Sequence, residues 1–313
     1  MFARIILKYY NCSNIMPVYP ITFSIPESKI VDTIPIKTKV LSSLMPSLIP
    51  GNASSYIYNT EKDYYNEYKS SLFATTFKKG GWDCMRHYEI LACGAIPYFP
   101  NIENCPINTL ALLPKDLIKH GNTLYNKYAK TPISEIDMTE CNFLIKSLLE
   151  YTRNTLTTKK MAQYILDKTN NSNVKRILFL SGSTEADYLR CVTLHGFKEL
   201  LGSECHDYPM IPHIYKSNSI NYSKLYGKGI TYSNLLDSTL HDSSLDICIE
   251  SDIVNHTYDL IIYGSYHRGM PFYNKVMSNY SPDTVILLCG EDDHSCNYNV
   301  YVERGHHVFV REL

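Results

Sequence analysis

The sequence has no long apolar run, no block of like charges, no Cys-x-x-Cys pair and a single tryptophan among its 313 residues. Each lack closes off a class of protein. No uninterrupted apolar stretch approaches the roughly 18 residues that would span a bilayer. The opening segment, Met1 to Asn14, has only a short apolar stretch before Lys8 and no small-residue cleavage site after it, so it does not read as a signal peptide. A soluble, cytoplasmic protein without a membrane span is expected. Thirty basic and 31 acidic residues give a formal charge of -1, and their dispersal leaves no electrostatic footprint for a nucleic-acid backbone or an anionic membrane. Ten cysteines at irregular distances signal neither a zinc ribbon nor a thioredoxin-like pair. Reduced, buried thiols are expected, and no metal ligands are assigned.

What is present is a chain 44% hydrophobic and long enough for one large or two medium domains. Its 27 tyrosines, beside many Lys, Asn and Ile, suggest an AT-rich coding genome such as that of a virus or a protist. Residues 1 to 50 carry short β-type runs (Ala3 to Tyr9, Ile21 to Ser24) broken by prolines, which exclude long helices. Glu61 to Ser70 has helical spacing, and Leu72 to Phe77 reads as a buried strand. After the turn Lys78-Lys79-Gly80-Gly81, the segment Trp82 to Cys93 fits a helix capped by Asp83 and ended by Gly94, and Ala95 to Phe99 is the next strand. This is a βαβ unit with parallel pairing. Asn142 to Leu166 is a long amphipathic helical stretch. The polar patch 169–175 reads as a linker between a first unit, 1–168, and a second, 176–313. The second unit repeats the α/β pattern: strand Arg176 to Leu180, loop Ser181 to Ala186, helix Asp187 to Leu201, then strands Tyr258 to Tyr263, Thr284 to Cys289 and His307 to Val310. The fold class is therefore α/β, with two Rossmann-like lobes.

Ligands in open α/β sheets bind beyond the carboxyl ends of the strands, which directs attention to the loops after them. The first such loop combines Lys78, Lys79, Gly80 and Gly81 with a helix start at Asp83 and with Arg86 one turn inside. Glycines let backbone N–H groups approach an anion, the helix dipole favours negative charge, and Lys and Arg neutralise it. That pattern suits a diphosphate, with Glu89 on nearly the same helix face as Arg86 to accept from ribose hydroxyls; the same residues also suit a solvated basic turn with a surface ion pair.

The run from Lys79 to Pro100, KGGWDCMRHYEILACGAIPYFP, continued by Asn101 to Pro106, resembles the donor-site segment of exostosin-like glycosyltransferases. In that family, of GT-B architecture, an Arg and an acidic residue three positions later precede a Gly-Cys-Ile-Pro strand and contact the nucleotide. The resemblance maps them onto Arg86 and Glu89; Ala95 stands where the family usually has Cys. It implies a GT-B-like pair of lobes, a UDP- or GDP-sugar as donor substrate, no obligatory cofactor or metal, and a glycan or other hydroxyl as acceptor. GT-B enzymes place the acceptor lobe first, whereas here the donor-like lobe leads, which implies a permuted order or a piece of a longer array.

Transfer with inversion needs a carboxylate or imidazole within reach of the acceptor hydroxyl. The second unit offers Glu291 and Asp292 in the loop Gly290 to His294, and His267 in the loop Gly264 to Gly269. The acidic loop could instead bind a metal, cap a helix or bind sugar hydroxyls. His195 reads as a core or surface histidine, and Cys205-His206-Asp207 lacks the second motif that a thiol catalyst requires. Two other readings remain: a catalytically silent glycan- or nucleotide-binding protein of the same fold, and an S-adenosylmethionine or nucleotide site built from Leu178 to Gly182 and Leu287 to Glu291. The latter lacks Gly-x-Gly-x-x-Gly spacing.

Overall fold

Every strand pairing in the computed structural model is parallel among the residues it describes, which are 17–46, 57–292 and 296–313. The expected strand Ala3 to Tyr9 and the loop residues Asp293 and His294 lie outside them. The strands are Val18–Pro20 (β1), Lys39–Leu41 (β2), Ser71–Thr75 (β3), Ile96–Tyr98 (β4), Ile177–Leu180 (β5), Cys205–Tyr208 (β6), Leu260–Tyr263 (β7), Val285–Cys289 (β8) and His307–Val310 (β9). The helices are Glu61–Ser70 (α1), Met85–Ala92 (α2), Lys115–Tyr128 (α3), Met138–Thr155 (α4), Thr158–Lys168 (α5), Tyr188–Leu201 (α6), Ile249–Val254 (α7), Tyr273–Asn279 (α8) and Asn299–Glu303 (α9).

Two sheets result, a six-stranded one in the order β1-β9-β8-β7-β5-β6 and a three-stranded one in the order β2-β3-β4. Strands β5, β7, β8 and β9 are buried along their whole length. Their near-continuous apolar sequences (ILFL, LIIY, VILLC, HVFV) are what a parallel sheet covered on both faces requires. From β5 the chain steps to β6 on one side and then to β7 on the other. The strand order therefore reverses beside β5, and a crevice opens beyond the carboxyl ends of β5 and β7.

The expected βαβ unit is β3–α2–β4, with Phe73 in register with Ile96 and Thr75 with Tyr98. Helix α2 is buried on all sides and yields to Gly94 in the left-handed region, φ 61°. It begins at Met85 rather than Trp82, because Asp83 does not cap it: the Asp83 carboxylate is turned to the chain at Phe23, whose N–H it accepts at 2.7 Å. The stretch Asn142 to Leu166 is two helices. Leu156 and Thr157 break it so that the backbone can bridge to Ile25, with N···O distances of 3.0 Å from Ile25 to Leu156 and from Thr158 to Ile25. Thr157 then caps α5 through its side chain, accepting from Lys160 N–H.

The sheets do not part at 169–175. Strand β1 pairs with β9 at the edge of the larger sheet, and the expected strand Ile21 to Ser24 is an extended, buried passage that follows it. Tyr164 of α5 donates to Pro20 O at 2.8 Å. Helix α5 also packs on α6 so closely that a Cβ at Gly196 would collide with the Thr158 carbonyl. Residues 17–25 and 157–168 thus lie with the larger sheet, although their place in sequence suggested the first unit. No helix among the described residues is long and apolar enough to cross a membrane.

Candidate functional site

The loops after β3, β5, β7, β8 and β9 converge on one cleft of about 630 Å³, within the usual range for a small-molecule site. Lys79, Gly80, Gly81, Asp83, Arg86 and Glu89 line it from the smaller sheet, and Asp187, Arg268, Glu291, Asp292 and Arg311 from the larger one. Two of the expected residues fall outside that lining. Lys78 is exposed, with its ammonium 5.3 Å from the Trp82 ring centroid. His267 lines a separate cavity on the other side of Glu291.

The glycine turn is built differently from the anion cradle that its sequence suggests. The backbone N–H groups of Trp82 and Asp83 donate to the Glu312 carboxylate at 3.0 and 2.9 Å. An internal anion thus takes these two amides. Arg311 completes the clamp: its guanidinium donates to Asp83 O at 2.6 Å, to Glu312 at 3.0 Å, to the carbonyls of Gly290 and Glu291, and to Asp292. Gly81 is required by this packing, since a Cβ there would collide with the buried Glu312 carboxylate, whereas one on Gly80 would meet only the largely exposed carboxylate of Asp292. His87 braces the turn from behind, with Nδ1 2.8 Å from Thr76 Oγ1 and Nε2 2.8 Å from Trp82 O, and burial pushes its pKa down to about 3.

Asp83 is buried, and desolvation raises its pKa to about 7 although Arg311, the Phe23 N–H and the Tyr88 hydroxyl all favour its charged form. Arg86 and Glu89 are both largely buried and reach the cleft from α2. The Glu89 oxygens accept from Tyr64 and Thr231 hydroxyls, each at 2.6 Å, and burial raises its pKa. Thr231 belongs to a loop of the second half that brings Tyr226, Gly227 and Ile230 into the cleft wall. Lys79 sits at the rim, its pKa lowered by partial burial and by Arg86.

Across the cleft, at the strand-order reversal, Asp187 accepts from Arg190 N–H at 3.0 Å and so caps α6. Its other oxygen takes the Ser265 hydroxyl at 2.7 Å and Arg268 Nε at 3.0 Å. Glu291 Oε1 lies 2.6 Å from His267 Nε2, whose pKa is lowered by burial against the opposing pull of that carboxylate. Asp292 is ion-paired with Arg311. Sequence reasoning missed Arg268, Arg311 and Glu312. Arg268 and Arg311 follow strands whose ends could be read, but nothing local marks a partner 229 residues away.

His195 is a buried helix histidine, 2.9 Å from Thr158 Oγ1. Cys205 is buried, its thiol pKa pushed up by burial to about 12, which is the opposite of an activated thiolate. Its neighbour His206 instead joins His241 and Asp246, the one group of three among the described residues that could hold a metal ion. Cys289 and Cys296 are paired, whereas the other seven cysteines among the described residues are free.

The chain is thus an α/β protein of two parallel sheets with a mixed-charge cleft beyond the carboxyl ends of their strands. No protein-family model matches it, and comparison with curated proteins and with solved structures finds no match either.

Proposed function

We propose that this cleft binds a UDP- or GDP-sugar and transfers the sugar to a hydroxyl of a glycan or other acceptor, the two sheets acting as the halves of a GT-B-like enzyme with the donor side first in sequence. The observation that carries the reading is convergence: Lys79, Arg86 and Glu89 from one sheet and Glu291 and Asp292 from the other line the same cavity. Because Glu312 holds the amides of Trp82 and Asp83, the diphosphate is held by side chains, with Lys79 and Arg86 on one side and Arg268 on the other. Glu89, already accepting two hydroxyls, has lone pairs left for a ribose hydroxyl. Glu291 is the general base. It faces the cleft and is poised against His267, whereas Asp292 is engaged by Arg311.

The test is calorimetric titration of the purified protein with UDP, GDP and their common sugars, followed by transfer and hydrolysis assays with whichever binds. Micromolar binding with sugar transfer supports the proposal. Binding without turnover would make the protein a silent nucleotide- or glycan-binding module. Absence of binding to every nucleotide tested would end the reading.

A further inference from the structure

Away from the cleft, two histidines and an aspartate meet at the free edge of the larger sheet. His206 lies on the edge strand β6, while His241 and Asp246 come from the segment that wraps back over that edge before α7. One ligand atom from each can be chosen so that all three lie within 4.8 Å of one another. His206 Nε2 is 3.0 Å from Asp246 Oδ1, and His241 Nε2 is 3.6 Å from Asp246 Oδ2. For comparison, tetrahedral ligands at roughly 2.0–2.1 Å from zinc stand about 3.3–3.4 Å apart.

The contacts are close, yet they are not hydrogen bonds. Among the described residues, neither Nε2 atom nor Asp246 Oδ1 has a hydrogen-bonding partner, although both imidazoles are largely buried, His206 at 2% exposure and the His241 side chain at 3%. Buried ring nitrogens left unpaired are costly. Close ligand atoms from three residues that do not hydrogen-bond one another are the arrangement a shared cation would complete.

A second, independent feature lies behind His241. Its Nδ1 is 3.1 Å from Asp207 Oδ1, and that carboxylate is held by the Tyr215 hydroxyl at 2.7 Å and the buried Lys198 ammonium at 2.9 Å. A carboxylate that accepts Nδ1–H fixes the tautomer with Nε2 unprotonated and presents that nitrogen as a ligand, the arrangement found behind metal-bound histidines.

We propose that His206, His241 and Asp246 bind one divalent transition-metal ion, zinc in the first instance, with water at the remaining position. Two imidazoles and one carboxylate suit zinc and iron(II) and disfavour calcium or magnesium. None of the three residues lines the sugar-nucleotide cleft. The ion therefore acts as a clamp that pins the wrapping segment to β6, and the proposal stands or falls separately from the transferase reading.

The experiment uses the full chain, stripped with a chelator and titrated with zinc alone or with cobalt(II) alone. The expected result is one equivalent of metal bound, a visible cobalt absorption band of a low-coordinate N/O site, and a rise in Tm with added zinc. Asp246→Asn keeps every cysteine and alters a side chain that is 28% exposed, so the fold should persist while the band is lost and zinc affinity falls at least tenfold. His241→Ala should behave likewise, with folding checked by circular dichroism. Uptake well below one equivalent at micromolar free zinc, or a cobalt band unchanged in Asp246→Asn, would overturn the assignment. Should His241→Ala fail to fold, Asp246→Asn and the wild-type stoichiometry still decide.

Discussion

Glu312 accepts the backbone N–H of Asp83 at 2.9 Å across 229 residues of sequence. This contact closes the chain on itself at the cleft, because the same carboxylate takes the Trp82 amide and the Arg311 guanidinium. The glycine turn is thereby held rigid by the protein's own anion. Lys79 and Arg86 line the cleft beside this clamp.

Glu312→Gln should destabilise the protein. The side chain is 5% exposed, and the amide loses the ion pair with Arg311 while presenting its NH2 to one of the two backbone donors. Charge-assisted hydrogen bonds are worth about 1.5–3 kcal/mol each, and Arg311 keeps Asp292 and the carbonyls of Asp83, Gly290 and Glu291, so a loss of about 2–3 kcal/mol is expected. Urea denaturation measures it; an unchanged midpoint would show that the clamp contributes nothing to the fold.

The pH dependence of stability should carry the signature of Asp83. Its folded pKa is raised to about 7 by burial from an ordinary 3.8. Between those values the native state binds the proton and the unfolded state does not, so this contribution to stability is complete below the lower value and is lost as pH rises through 7. Subtracting the stability of Asp83→Asn from that of wild type at each pH isolates the effect. The difference should grow by something on the order of 2 kcal/mol in favour of wild type from pH 8 to pH 5. A difference that is flat, or that grows in the alkaline direction, would place Asp83 among ordinary ionised carboxylates.

The βαβ unit was legible in sequence because its signals are local: an apolar run at Leu72, a glycine turn, and Gly94 with the positive φ that a helix end requires. So were β5, β7, β8 and β9, whose burial on both faces leaves unbroken apolar runs. The failures are long-range. Asp83 looks like a helix cap until Phe23 is beside it, and the helix 142–166 looks continuous until Ile25 is seen to pair with Thr157. Strand β1 is three residues ending in proline, and only its partner β9 makes it a strand. Lys79, Arg86, Glu89, Glu291 and Asp292 were legible as residues of strand-end loops or helix starts, and these do line the cleft; Glu312 was not, since its contacts with Trp82 and Asp83 join segments distant in sequence.

The two lysines of the turn should separate cleanly. Lys79 lines the cleft and Lys78 stacks outside it on Trp82. Arg86→Ala should weaken UDP or GDP binding roughly tenfold or more, the worth of one charge-assisted bond to phosphate, and Lys79→Ala should do so by a comparable factor. Lys78→Ala should stay within about threefold, as expected for an exposed charge. Calorimetry on the three variants checks this; equal losses for Lys78 and Lys79 would mean that nucleotide affinity reflects diffuse charge and not the cleft.

The last prediction concerns the base, and it rests on the 2.6 Å contact between Glu291 and His267. If Glu291 takes the proton of the acceptor hydroxyl, Glu291→Gln should lose about 10²- to 10⁴-fold in turnover, the usual yield of general-base assistance, with nucleotide affinity unchanged because the phosphate cations lie elsewhere. Asp292→Asn should lose far less turnover, since its carboxylate is committed to Arg311. On the proposed reading His267 acts only through Glu291, as a positioning residue. Burial lowers the His267 pKa, against the pull of the Glu291 carboxylate, which favours the neutral imidazole beside that carboxylate. His267→Asn should reduce turnover about tenfold with nucleotide affinity unchanged, and should cost nothing further in a Glu291→Gln background, a coupling that a purely structural histidine would not produce. Transfer rates and nucleotide affinities of the single variants and of the double variant decide it. Near-normal turnover in Glu291→Gln would remove Glu291 as the base, and a full further loss from His267→Asn in the Glu291→Gln background would remove His267 from the pathway.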